Sequence, residues 1–398
     1  MSGADPALVE HLRGRLVRET RVLPEQATRP AVAALVDELL DDERRILTAS
    51  ARATLVEAVV DEVVGLGPLE PLLREGGVTE IMVVGPSRVW AERDGRVTPA
   101  AARFADDAHL LHVIDRILAP LGRRLDEASP MVDARLPDGS RVNAVIPPLS
   151  LDGPVLTIRR FARDPLSGER LVELGTMPAG VLHLLRTAVR ARRNILVSGG
   201  TGSGKTTTLA AIAAAVPARE RIVTIEDAAE LRLPLPHVVR LESRPPSLEG
   251  RGAVGIRALV RNALRMRPDR IVVGEVRGGE SLDMLSAMTT GHEGSLSTIH
   301  ASSPQDALRR LQLLALMGDL ELPLAAVAEQ VGSAVDLVVH QARGADGRRR
   351  VVELAAVEPA RGGPRAVSLM RWSPGAGEGA FAWTPPAAAW RAGAERDA

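Results

Sequence analysis

The sequence predicts an α/β chain: a parallel sheet wrapped by helices in the C-terminal part, a smaller α+β domain before it, and a helical extension at the N-terminus. Three observations carry this reading. From about residue 169, helix-like and strand-like stretches alternate, the pattern of a parallel sheet covered by helices. Between 66 and 162 the β-rich runs are short and broken by Gly-Pro turns. Before residue 65 the apolar residues recur at helical spacing only.

Taken in order, Val32, Leu35, Val36, Leu39 and Leu40 form one apolar helix face, and Leu55, Val56, Val59, Val60 and Val63 form another. Gly65, Gly67 and Pro68 stop the second helix. Residues 1–65 are therefore the helical extension. In 66–162, strands are expected at Glu80–Val84 and Arg88–Glu92 around Gly85-Pro86, a helix at His109–Leu121, and strands at Ser140–Ile146 and Val155–Phe161. A linker is expected at 163–168. In 169–358, helix Met177–Ala191 leads to strand Asn194–Ser198, helix Thr206–Ala215 to Arg221–Ile225, helix Gly255–Met266 to Arg270–Gly274, and helix Gly279–Thr289 to Ser295–His300. Helices Pro304–Leu316 and Leu322–Val331 follow, then strands Asp336–Gln341 and Val351–Val357. Residues 359–398, rich in Gly, Ala, Pro and Arg, read as a tail, although three of the four tryptophans lie there.

Composition narrows the function. The 398 residues carry 50 basic and 50 acidic side chains. A zero net charge argues against gripping a nucleic-acid backbone as the main task. Without cysteine, disulfides, thiol catalysis and cysteine-ligated zinc are excluded. The first residues are charged throughout and lack a signal-like apolar core, and no run of 18 apolar residues occurs. A cytoplasmic protein without a transmembrane segment is the expectation. Lys205 is the only lysine, every other basic residue being Arg. A compact ammonium suits a site too tight for a guanidinium fork.

That lysine lies in Gly199-Gly200-Thr201-Gly202-Ser203-Gly204-Lys205-Thr206, a full G-x-x-x-x-G-K-[ST] match between an apolar strand and a helix that continues through Thr207. Glycines let the loop turn its N–H groups inward as an anion nest, and the helix aims its positive end at the phosphates. Lys205 can bridge the β- and γ-phosphates of ATP, and the Thr206 hydroxyl can bind Mg²⁺. The strand Arg270–Val273 ends in Gly274-Glu275, a carboxylate placed to contact Mg²⁺ or to polarise the attacking water. Glu226, Asp227 and Glu230 end another strand and either face the same crevice or cap the next element. Gly291-His292-Glu293-Gly294 and Ser297–His300 form a third group. His300 either senses the γ-phosphate or packs as a satisfied histidine, and no further ligands at short spacing support zinc.

These four boxes, in this order, resemble the secretion-ATPase superfamily, the motors of type II and type IV secretion and of type IV pili. Gly65–Glu70, Thr79–Val83, Gly122-Arg123-Arg124, Arg135–Asn143 and Thr157–Phe161 look like the Flp/Tad pilus branch, the CpaF type. The resemblance spans about 60–340. It implies a homo-hexameric ring of subunits with a RecA-like C-terminal domain, nucleotide held between the two domains, and motion passed to inner-membrane platform proteins from the cytoplasmic face. It also implies that Arg141 and Arg159 or Arg160 reach the phosphates, where a forked guanidinium suits γ-phosphate charge. Val84 departs from the branch, which usually has Asn there. The tetracysteine module common in pilus-extension and type II motors is absent, which favours the Flp/Tad or type IV secretion branch. Two competing readings are a RecA-like nucleic-acid translocase fed by Arg186, Arg190, Arg192 and Arg193, and a nucleotide-gated scaffold with little hydrolysis. Seven aromatic residues are few for the first.

Overall fold

The computed structural model describes residues 5–20, 28–43, 47–93, 95–136, 138–160, 166–244, 251–318, 322–374 and 380–397. The chain divides into two compact units, Met1–Phe161 and Ala162–Ala398. Of the linker expected at 163–168, residues 163–165 lie outside the described residues, while Ser167 caps a helix that begins at Gly168.

In the first unit, α1 (Pro6–Thr20), α2 (Arg29–Asp42) and α3 (Ala49–Val63) pack around Leu12, Leu16, Val32, Val36, Leu40 and Val59. Thr48 caps α3 by accepting from the Ala51 N–H. Asp61, almost fully buried, receives Arg29 and Arg74 at 2.6 Å each, which joins α2 and α3 to α4 (Glu70–Arg74). A buried carboxylate needs such partners.

The sheet domain follows: β1 (Val78–Val84), β2 (Arg88–Arg93), β3 (Arg96–Pro99), α5 (Asp107–Leu118), β4 (Met131–Arg135), β5 (Arg141–Val145) and β6 (Val155–Arg159). The strands form one antiparallel sheet in the order β3-β2-β1-β6-β5-β4. Leu110, Val113, Ile114 and Ile117 of α5 cover the face bearing Ile81, Val83, Val142, Ala144, Leu156 and Ile158. Period-2 burial in β1 and β5 matches that single covered face. The sequence reading omitted β3, wholly exposed, and β4, whose Met131, Val132 and Ala134 are interrupted by Asp133 and followed by Arg135. The helical extension does not stand apart. Arg116 of α5 donates to the Glu62 and Val63 carbonyls at 2.6 and 3.1 Å, satisfying the C-terminal end of α3.

The second unit runs α6 (Gly168–Glu173), α7 (Ala179–Arg190), β7 (Ile195–Gly199), α8 (Lys205–Ala213), β8 (Ile222–Glu226), β9 (Val238–Glu242), α9 (Ile256–Ala263), β10 (Arg270–Val273), α10 (Glu280–Thr289), β11 (Leu296–His300), α11 (Pro304–Leu316), α12 (Leu324–Ala334), β12 (Leu337–Arg343), β13 (Arg349–Glu358), β14 (Arg365–Ser373), β15 (Ala380–Trp383) and α13 (Pro386–Asp397). The sheet order is β15-β14-β13-β12-β7-β11-β10-β8-β9. Strands β12 to β9 are parallel, and β13, β14 and β15 join antiparallel. Ile195 and Val197 face one core with α7 and α8, while Leu196 faces another with α9 to α12. Burial on both faces explains why Ile, Val and Leu dominate β7, β8 and β10.

The end of the sheet opposite the glycine loop is tied by polar groups. Asn194 accepts from the Gly294 and Ser295 N–H groups and donates to the Met288 and Ala334 carbonyls. Arg270, fully buried, pairs with Glu220 at 2.6 Å and donates to the Val189 carbonyl. The stretch expected as a tail holds β14, β15 and α13 among its described residues. Leu369, Met370 and Ala387 join the α7/α8 core, with Trp390 packed against it. Gly, Pro and Arg masked this pattern, because only a few well-placed apolar residues are needed to extend a sheet that already exists.

Candidate active site

Strand β7 ends at Gly199 and runs into the glycine loop, and Gly204, at φ 92°, caps α8. A side chain at Gly199 would collide with the Gln341 carbonyl oxygen, and one at Gly204 would crowd Gln341 and Arg349. These positions therefore require glycine. Lys205 is 8% exposed and its Nζ donates to the Gly200 carbonyl at 2.9 Å, inside the loop. Thr206 and Thr207, half-buried, lie in the first turn of α8.

The parallel register brings β11 beside β7 so that His300 is opposite Gly199. His300 Nδ1 is 3.4 Å from Lys205 Nζ, and its Nε2 is 2.7 Å from Glu275 Oε1. Burial holds the imidazole below its ordinary pKa, against the pull of Glu275 and with Lys205 adding to the depression. The neutral ring, with Nδ1 toward the ammonium, carries its proton on Nε2, facing the carboxylate. Glu275 Oε2 accepts from Arg277 Nε and Nη2 at 2.9 and 2.5 Å. Three strand ends thus deliver Lys205, His300 and Glu275 to one spot.

Glu226 is 4% exposed. Its carboxylate accepts from the Glu230 N–H at 3.0 Å and the Leu231 N–H at 3.1 Å, holding the loop after β8. Desolvation raises its pKa to about 7, with those N–H groups opposing the rise. Gly274 is required beside it, since a Cβ there would lie 2.6 Å from Glu226 Cγ. Glu226 is thus occupied as a brace, the capping alternative for this cluster. Glu230 is half-buried, and Asp227 accepts from Ser243 Oγ. His292 is at the other end of β11, its carbonyl bonded by Ser295 Oγ, away from the loop.

In the first unit Arg141 lies directly opposite Arg159, with Arg135 on its other side and Glu80 beyond Arg159. Val142 and Ile158 point into the core, so this arginine row occupies the opposite face. Like charges placed directly across strands repel, and an anion relieves that repulsion. Arg160 instead donates to the Glu75 and Val78 carbonyls. The helix-face arginines of the second unit are largely paired: Arg186 with Glu169 at 2.6 Å, Arg192 with Glu220 at 3.2 Å, Arg193 with Asp336 at 3.3 Å.

The donor set suits Mg²⁺, a hard cation that takes oxygen ligands and keeps several waters. It comprises the Thr206 hydroxyl and the Glu275 carboxylate, whose buried Oε1 faces His300 Nε2. No three His, Asp or Glu gather as a ready metal site among those residues, which suits an ion held mainly by phosphate and water.

Sequence reasoning missed Arg277, Gln341 and His340. Arg277 was accessible as a basic residue two positions after Glu275. Gln341, whose Oε1 accepts from Thr208 Oγ1 at 2.7 Å, and His340, 3.0 Å from Ser198 Oγ, reach the loop only because β12 pairs with β7.

The pattern of the Type II/IV secretion system protein family matches residues 62–363. The chain belongs to that family. Its secretion-ATPase relationship, expected from the four boxes, is thereby established. A Mycobacterium tuberculosis protein named for conjugal transfer is 42% identical over 314 residues, covering 77% of this chain and 89% of its own. The type IV secretion system protein PtlH of Bordetella pertussis is 39% identical over 323 residues, covering 73% and 93%. The Legionella pneumophila ATPase DotB aligns over 73% of this chain and 79% of its own at TM-score 0.54 and 23% identity, a likeness of fold. The family match leaves out α1, α2, β14, β15 and α13. No helix among the described residues is long and apolar enough to cross a membrane.

Proposed function

We propose that this secretion-family chain is a Mg²⁺-dependent ATP hydrolase that works as a motor subunit, and that ATP is cleaved at the Lys205–His300–Glu275 constellation. The observation that carries this is the convergence of the chain's one lysine, a neutral histidine and a strand-end carboxylate around a glycine loop. The loop N–H groups of Gly199–Gly204 and the Lys205 ammonium hold the β- and γ-phosphates. Thr206 and Glu275 would hold Mg²⁺, which would supply neutralisation of the phosphate charge. Glu275 orients the attacking water, its carboxylate fixed from one side by Arg277. His300 links that carboxylate to the lysine and reads whether a γ-phosphate is present. Glu226 braces the neighbouring loop, and Glu230 remains the carboxylate of that box left to face the ligand. Arg141 and Arg159, on the sheet of the first unit, supply forked charge to the phosphates. Arg160 donates through Nη1 to the Glu75 and Val78 carbonyls, which favours Arg159 over it for this role.

In this reading six copies form a ring at the cytoplasmic face of the inner membrane and act on membrane platform proteins. The machine is a Flp/Tad-type pilus or a related type IV system. The names of the relatives favour conjugal and type IV transport, and the motifs between 65 and 161 favour the pilus branch.

The test is steady-state hydrolysis of Mg-ATP by the full chain, with its mass in solution measured alongside. Wild type turns over, while Lys205→Ala and Glu275→Gln lose on the order of 100-fold or more. Undiminished turnover by Glu275→Gln would remove the water-orienting role. Binding without turnover in wild type would favour the scaffold reading.

A further inference from the structure

One cation at the loop is unused by this mechanism. Arg349, the first residue of β13, reaches across to the loop and donates from Nε to the Gly202 carbonyl at 2.9 Å. Its Cδ lies 3.2 Å from where a Gly204 Cβ would be. The residue is exposed, and Nε makes its only hydrogen bond among the described residues. The next residue, Arg350, turns the other way, is 7% exposed and lies over the Trp372 ring at 5.0 Å.

The sheet order gives Arg349 a side. His300 and Glu275 come from β11 and the end of β10, which lie on one flank of β7. Strands β12 and β13 lie on the other. A triphosphate is a linear chain. With its terminal phosphate toward Glu275, its nucleoside end leaves the loop on the flank where Arg349 stands. The chain contains no tyrosine to stack on a base. A planar guanidinium, anchored through one nitrogen on an exposed residue, stacks well on an aromatic plane.

We propose that Arg349 is a nucleoside-binding residue, its guanidinium tethered to the Gly202 carbonyl and stacked on the purine base. The proposal rests on the ATP reading of the loop and adds the group that recognises the base.

Isothermal titration of the full chain with Mg-ATP and, separately, Mg-tripolyphosphate tests it. Arg349→Ala is expected to weaken ATP binding by about 5- to 30-fold, the size of a desolvated cation–π contact, and to leave tripolyphosphate affinity within about twofold. Arg349→Met keeps the stem without the plane or charge, guards against misfolding, and is expected to match the alanine variant. Lys205→Ala is expected to lose both ligands. Equal loss of ATP and tripolyphosphate in the Arg349 variants would mean a phosphate contact or loop support and overturn the proposal, as would unchanged ATP affinity. If Lys205→Ala keeps both ligands, the loop reading itself fails and the proposal falls with it. Loss in Lys205→Ala without loss in the Arg349 variants leaves the loop reading standing and removes this one.

Discussion

Glu226 shows how one buried carboxylate couples the site to pH. Its folded pKa of about 7 lies above the ordinary 4.5, so the native state holds a proton that the unfolded chain has released. Between those values the stability contributed by the neutral acid is lost as pH rises, by roughly 3 kcal/mol at most. Thermal melting of wild type between pH 4.5 and 8 therefore falls relative to Glu226→Gln, whose amide never ionises. Parallel melting curves for the two across that range would refute the assignment. Gly274 is the partner of this effect. Gly274→Ala drives a methyl into Glu226 Cγ, near the branch of a buried side chain that has no room to swing. We expect a loss of about 1–3 kcal/mol in denaturant melts, with hydrolysis falling too, because Glu275 is the next residue.

At the scale of elements, the C-terminal β14–β15–α13 segment completes the second unit. Arg391 lies over the Trp383 ring at 3.4 Å, Arg193 pairs with Asp397, and Ala387 and Ala394 are buried. Ending the chain at Pro385 strips α13 from the α7/α8 core and exposes Trp390's packing surface. The expected cost is roughly 2–4 kcal/mol, read as a Tm lower by about 5–15 °C. An unchanged Tm would mean that α13 is a passenger. Element type was readable wherever period and punctuation agreed, as in β7, α8 and α11. It was not read in β9, a five-residue strand in which Val238, Val239 and Leu241 are only half-buried while Arg240 and Glu242 are exposed. An edge strand buries too little to leave a pattern.

For the whole molecule, two units with separate apolar cores imply separable unfolding. Ile158 is fully buried in the first unit's sheet. Ile158→Ala should cost about 2–5 kcal/mol there, lowering one calorimetric transition while the other keeps its midpoint. A single transition that moves as one would show that the units melt together.

The sequence alone determined the glycine loop, its lone lysine, the strand-end carboxylates and the alternation that makes a parallel sheet. Each depends on residue type and short-range spacing, which the chain carries locally. Only the tertiary structure decided which strands became neighbours. Strand β12, more than a hundred residues after β7, lies directly against it and brings Gln341, His340 and the β13 arginine to the loop. It also decided that Glu226 turns inward to backbone N–H groups while Glu275 turns to His300 and Arg277. Strand order depends on how distant apolar faces find cover, and a side chain's direction depends on the partners that order supplies.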